Sequence, residues 1–164
     1  MTARVGSRVR PATAADVPVV LELVHELAVY EREPDAVETT EQQLREALFG
    51  ADPVAWCHLA LDDDGSVVGF ALWHLTFSTW RGTAGIWLED LFVRPAARGT
   101  GLGKALLQEL ARTCTARGYS RLSWWVLDWN EPSIGFYHSL GALPQDEWTT
   151  FRLDGEALVR LATA

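Results

Sequence analysis

Apolar residues recur at helical spacing in the first third of the chain and give way to strand-like runs from about residue 54 onward. Val17, Val20, Leu21, Val24, Leu27 and Ala28 fall on one face of a 3.6-residue period, and Thr13 followed by Asp16 has capping-box spacing. That pattern predicts a helix to about Tyr30, preceded by a short strand at residues 7–11. Thr40 and Gln43 form a second capping pair, for a helix that turns Leu44 and Leu48 inward and stops at Gly50. Residues 54–61 and 66–77 read as strands, and Asp62-Asp63-Asp64-Gly65 between them as the turn of a hairpin. From Gly85 to Val93 the chain is apolar and β-prone except at Glu89 and Asp90. A helix over about 101–117 follows, with Leu102, Leu106, Leu107, Leu110 and Cys114 on its apolar face and Gly118 as its stop. Arg121 to Leu127 supplies another buried strand, so 85–127 is a strand-helix-strand unit, expected to be parallel and right-handed. Asn130 caps a short helix through Ser139, residues 147–153 read as a final strand, and a short helix ends the chain. The fold class is α/β.

Composition sharpens this picture. The chain has 164 residues, 48% of them hydrophobic, with a formal net charge of -8. No linker, repeat or low-complexity tract divides it, so a single domain over 1–164 is expected. A domain of this size buries roughly 70% of its unfolded surface and needs no disulfide or metal staple. No apolar run approaches the roughly 18 residues of a membrane span, and Met1 to Arg10 lack the apolar core of a secretory signal, so a cytoplasmic protein is expected. Excess acid argues against nucleic acid as a partner. Cys57 and Cys114 form no CxxC pair and read as packing residues, and His25, His58, His74 and His138 have no metal-ligand spacing, so no metal is expected.

The stretch Arg98-Gly99-Thr100-Gly101-Leu102-Gly103-Lys104 lies between a strand and a helix, where unpaired N–H groups and the helix dipole favour an anion. The dinucleotide fingerprint fails because Lys104 stands where its third glycine belongs. The GxxxxGK[ST] loop fails at Arg98 and again at Ala105. What remains is Arg98-x-x-Gly101-x-Gly103. Between Leu91 and Gln108 there is no acid, while Arg94, Arg98 and Lys104 are basic, and Lys104 is the chain's only lysine. This is a phosphate-binding composition.

That hexad resembles the acetyl-coenzyme A loop of the GCN5-related N-acetyltransferase (GNAT) family. The flanking stretches Trp87-Leu-Glu-Asp-Leu-Phe-Val-Arg94 and Asp128-Trp-Asn-Glu-Pro-Ser-Ile-Gly-Phe-Tyr137 look more specifically like its diamine (spermidine/spermine) acetyltransferase branch. The resemblance runs from Arg10-Pro-Ala-Thr-Ala-Ala-Asp16 through Glu26-Leu-Ala-Val-Tyr-Glu31 to Leu153-Asp-Gly-Glu-Ala-Leu158, nearly the whole chain. It implies the GNAT fold: a mixed central β-sheet flanked by helices around the parallel strand-helix-strand core. It also implies acetyl-CoA as donor, direct transfer to an amine in a ternary complex, and a homodimer.

Acetyl transfer to an amine needs a neutral nitrogen, a polarised carbonyl and a proton for the departing thiolate. An alkyl ammonium with a pKa near 10.4 is only about 0.1% neutral at pH 7, a cost of roughly 4–5 kcal/mol that a base offsets. The resemblance makes Glu89 that base, through water, and Tyr137 the donor to the thiolate. Backbone groups of Leu91, Phe92 and Val93 are implied to hold the pantetheine arm. The loop Arg98, Gly99, Thr100, Gly101, Leu102, Gly103 and Lys104 would hold the phosphates, with Asn130 and Ser133 either touching the cofactor or closing their own helix. Asp90 points to the opposite face from Glu89 in a regular strand, unless a bulge of the kind common in the family intervenes.

For the acceptor, residues 22–46 carry eight acids against Arg32 and Arg45. By resemblance this region borders the acceptor cleft, which makes Tyr30, Glu31, Glu33 and Asp90 acceptor-side candidates. Ser78 departs from the polyamine enzymes, which carry an acid there, so a smaller amine such as a thialysine-like amino acid stands beside a polyamine. Two other readings compete: a peptide N-terminal or lysine acetyltransferase, and a non-catalytic acyl-CoA-binding sensor.

Overall fold

Both capping pairs form. In a computed structural model, which describes residues 8–163, Asp16 accepts from the backbone N–H and the hydroxyl of Thr13 at 2.7 and 2.8 Å. A 3₁₀ turn at Ala14–Asp16 leads into α1, Val17–Tyr30. Arg10 closes on the same carboxylate through two 2.8 Å bonds, which holds Asp16 well below the ordinary carboxylate range. Thr40 and Gln43 cap α2, Glu41–Phe49, reciprocally.

Five strands make one sheet in the order β1-β2-β3-β4-β5: Val9–Pro11, Trp56–Leu61, Val67–Ser78, Thr83–Val93 and Leu122–Trp124. Residue 7 of the expected first strand lies outside the described residues. The first four strands are antiparallel neighbours, and β4 pairs with β5 in parallel, joined by α3, Leu102–Arg117. One sheet face packs α1 and α2: Cys57, Leu59, Phe70 and Phe92 meet Val17, Val20, Leu23, Leu27, Leu44 and Leu48. Leu23 is buried there, and Leu21 and Val24 are only partly covered. The opposite face carries Trp73, Ile86 and Leu88, and α3 turns Leu102, Leu106, Leu107, Leu110 and Cys114 inward. Both cysteines are buried and free.

Two expected strands differ. The strand expected at 121–127 is paired only over Leu122–Trp124, because its ladder ends opposite Leu88, where β4 bulges and bends away. Residues 147–153 are not a strand: β-prone side chains make one only beside an edge to pair with, and among the described residues no strand pairs with this stretch.

The chain divides into two units, Met1–Trp125 and Val126–Ala164. The second holds two helices, α4 over Glu131–Ser139 and α5 over Gly155–Ala162. Asn130 is buried at the N-cap of α4 and accepts from the Ser133 N–H at 3.4 Å. Leu158, Val159 and Leu161 on α5 are exposed, as are Trp148 and Phe151 before it. No helix among the described residues is long and apolar enough to cross a membrane.

Candidate active site

The bulge in β4 decides which side chains meet. Leu88 pairs with Trp73, but Asp90 pairs with the very next residue of β3, Leu72, so Glu89 is an extra residue without a partner. Directly opposed residues share a face. Leu88 therefore lies on the α3 side with Trp73, whereas Asp90 is turned to the α1 side with Leu72 and, two residues on, Phe92 opposite Phe70. Trp87 opposes His74 on that same α1 side. The bulge that the sequence left open is present, and its extra residue cancels one step of the alternation, so Asp90 does not take the face a regular strand would give it.

The carboxylates occupy different environments. Glu89 is half-exposed, not buried in its strand: its Oε2 accepts from the Trp87 indole N–H at 3.1 Å and lies 3.5 Å from His74 Nε2. Asp90 is sunk beneath it, and burial first, then the negative charges of Glu89 and Glu31, push its carboxyl up to about 7. Burial also raises Glu31, the last residue before α1 unwinds. The unwinding uses Arg32 in the left-handed region at φ 67°, with the Glu33 N–H donating back to Ala28 O at 2.9 Å. Glu31, Glu89 and Asp90 thus come together, while Glu33 is exposed on the following loop.

Past Leu88 the β5 edge of β4 continues through Glu89–Val93 with no partner strand among the described residues. That stretch holds Leu91, Phe92 and Val93. The glycine loop begins just beyond. Gly99 and Gly101 have φ 76° and 84°, a backbone that L side chains resist, and a methyl built on either would meet nothing within 4 Å. Gly101 is the N-cap of α3, so the N–H groups of Leu102, Gly103 and Lys104 have no acceptor within the helix. An open left-handed turn feeding free donors and a helix dipole fits a pyrophosphate.

The basic residues are less available than their spacing implies. Arg94 is committed to acids of α1, with Glu22 at 2.6 Å and Glu26 at 2.7 Å, and donates to Val67 O at 3.2 Å. Arg98 donates from Nε to Val93 O at 2.8 Å and lays its guanidinium 4.8 Å over the Tyr30 ring and 5.5 Å over Phe92. Tyr30 therefore braces the root of the loop. Lys104 is exposed on the first turn of α3 and makes no ion pair among the described residues. Sequence reasoning missed Arg8, whose Nη1 donates to Thr100 O at 2.8 Å and Nη2 to Thr100 Oγ1 at 3.3 Å. Thr100 Oγ1 in turn donates to Ala97 O at 2.7 Å. No local signal links residues 92 positions apart.

Ser78 is buried in the β3–β4 connection. Its hydroxyl accepts from the Arg81 N–H at 3.2 Å and its carbonyl from Gly82 N–H at 2.8 Å, so it shapes the turn. In the second unit, Tyr137 lies four residues after Ser133 on α4, on the same helical face, half-buried with its ring 5.5 Å from Phe136.

A mixed sheet, a bulged central strand with an unpaired edge and a glycine turn at a helix start define the class: an α/β protein with an anion-accepting turn at the head of α3. The profile of the "Acetyltransferase (GNAT) family" matches residues 20–142, and the chain belongs to that family. It is 38% identical to a thialysine N-epsilon-acetyltransferase of Bos taurus, over 94% of this chain and 96% of that one. It is 30% identical to an L-ornithine N5-acetyltransferase of Arabidopsis thaliana, over 94% and 87%. Among solved structures, an integron cassette protein from the mobile metagenome of V. cholerae superposes with a TM-score of 0.79 at 27% identity, covering 95% of this chain and 97% of that one.

Proposed function

We propose that this acetyltransferase uses acetyl-CoA to acetylate the primary amine of a small cationic acceptor, by direct transfer within a ternary complex. The observation that carries this reading is the gathering of Glu31, Glu89 and Asp90 at the bulge, with Asp90 held near 7. Such a cluster attracts an ammonium and takes a proton from it. Relatives named for thialysine and ornithine support an amino acid with a side-chain amine. A relative named as a spermidine/spermine N(1)-acetyltransferase-like protein, 34% identical over 94% of this chain, supports a polyamine. Ser78 does not separate these acceptors, because its hydroxyl belongs to the turn.

The donor supplies an acetyl thioester. The free donors of Leu102, Gly103 and Lys104, with the turn at Gly99, Thr100 and Gly101, would hold its phosphates. The open edge of Leu91, Phe92 and Val93 would hold the arm. Asp90 and Glu31 bind the acceptor ammonium, and Glu89 takes one proton from it through water. The nitrogen attacks the thioester carbon and the C–S bond breaks; the second proton leaves nitrogen to water, and Tyr137, as donor to the thiolate, gives its proton to sulfur and regains one from water. Asn130 and Ser133 order the start of the helix that carries Tyr137. In this reading 1–164 is one catalytic domain that works in the cytoplasm as a homodimer. Free buried thiols support the compartment and the apolar face of α5 supports the dimer.

Thiol release from acetyl-CoA, followed with thialysine, ornithine, lysine, spermidine and a basic peptide, tests the proposal. Acceptor-dependent release with a small amine is expected. Release with the peptide alone would move the assignment to a peptide acetyltransferase, and tight acetyl-CoA binding without any release would make the chain a sensor.

A further inference from the structure

Glu89 is held on one side only. Its Oε2 accepts from the Trp87 indole at 3.1 Å and faces His74 Nε2 at 3.5 Å, whereas Oε1 has no partner among the described residues. Trp87 is itself braced edge-on by Trp125, ring centroids 5.1 Å apart and planes at 81°. An indole nitrogen only donates, at any working pH. His74 flanks the same oxygen: its Nε2 faces Oε2, and its Nδ1 lies 3.2 Å from the Leu75 carbonyl, which holds the ring in place.

We infer that Trp87 and His74 are positioning residues for Glu89, anchoring Oε2 between the indole donor and the imidazole beside it so that Oε1 is left as the proton-accepting oxygen. The inference deepens the proposed function and rests on its reading of Glu89 as proton acceptor. Without the bulge, Glu89 would stand in the ladder as an ordinary strand residue; with it, the carboxylate swings to the α1 side, where Trp87 and His74 oppose each other across β3 and β4. A half-exposed glutamate otherwise samples many rotamers, and an indole donor with an imidazole beside it restricts that freedom where proton transfer needs a fixed distance. The charged groups facing Glu89 are His74 from β3, Asp90 from β4 and, through Asp90, Glu31 from the end of α1.

The test measures kcat and KM for acetyl-CoA on the full chain with its best amine, for Glu89→Gln, Trp87→Phe, His74→Leu and the double variant Glu89→Gln/Trp87→Phe. Phenylalanine keeps an aromatic ring beside Trp125 and loses the N–H donor. Expected are falls in kcat of about 5–10-fold for Trp87→Phe and about 3–5-fold for His74→Leu, with KM for acetyl-CoA within twofold for both. In the Glu89→Gln background the Trp87 substitution should cost less than twofold, since there is no longer a base to aim. If Glu89→Gln leaves kcat unchanged, the underlying reading of Glu89 fails. If Glu89→Gln is slow but Trp87→Phe is within twofold of wild type, or its effect persists in full in the Glu89→Gln background, the positioning role is overturned. Should Trp87→Phe not fold, a kcat of His74→Leu within twofold of wild type overturns it equally.

Discussion

Asp90 and Glu89 are adjacent carboxylates with opposite surroundings, and the difference sets a pH dependence. Asp90, pushed up to about 7 by burial, keeps its proton in the folded protein at pH values where the unfolded chain has lost it. Its contribution to stability is therefore full below about 3.8 and is lost as pH rises through about 7. Asp90→Asn removes the buried charge, so its melting temperature should exceed that of wild type at pH 8 and converge with it near pH 3.5. The gain is on the order of 1–4 kcal/mol, taking 1.36 kcal/mol for each pKa unit as the upper bound. The same variant should raise KM for the amine at least tenfold, because the acceptor loses a counter-charge. Tyr137→Phe should instead lower kcat by about 10²-fold with acetyl-CoA affinity nearly unchanged, the size of a missing general acid, as steady-state kinetics would read. The polar pair interrupting an apolar strand is visible in the sequence. That Asp90 joins Glu31 is not, because one unpaired residue inverts the face of everything after it.

At the scale of elements, the glycine loop and the end of α1 are tied by side chains whose partners lie far along the chain. Arg94 counts toward the basic composition around the glycine loop, yet in the fold it clamps Glu22 and Glu26 of α1 to the end of β4. Arg94→Met should therefore lower stability by about 1–3 kcal/mol, having left two carboxylates and a carbonyl without their donor, while changing KM for acetyl-CoA by less than twofold. Thermal melting and donor kinetics together check this. Lys104→Met should do the reverse, raising KM for acetyl-CoA several-fold, more so at low salt, with little change in melting temperature. The capping boxes at Thr13 and Thr40 and the Asp62–Gly65 turn were legible because their chemistry is local: donor and acceptor sit within a few residues of each other. The strand expected at 147–153 failed for the converse reason, that a strand is completed by a neighbour outside its own segment.

Across the whole molecule, charge and burial act against each other. The acidic excess is partly used internally by Arg10 and Arg94, which leaves Glu31, Glu89 and Asp90 as the concentrated negative site. On the opposite sheet face His58 is buried and accepts the Trp73 indole N–H on Nδ1 at 3.1 Å, with burial holding its pKa down. Here the sign reverses relative to Asp90: the neutral ring is favoured in the fold, so stability is lost as pH falls below the ordinary histidine value of about 6.5. His58→Gln, which keeps an acceptor for Trp73, should flatten the fall of stability below about pH 6.5, as denaturant titrations at stepped pH would show. The sequence by itself determined the α/β class, the order of nearly all elements, the glycine turn and the family, because periodicity, caps and positive-φ glycines are properties of neighbouring residues. Only the tertiary structure decided which face Asp90 takes, which cations are tied into ion pairs and what lies against Glu89. Those outcomes depend on register across β3 and β4 and on burial, and both arise from pairing between segments distant in the chain.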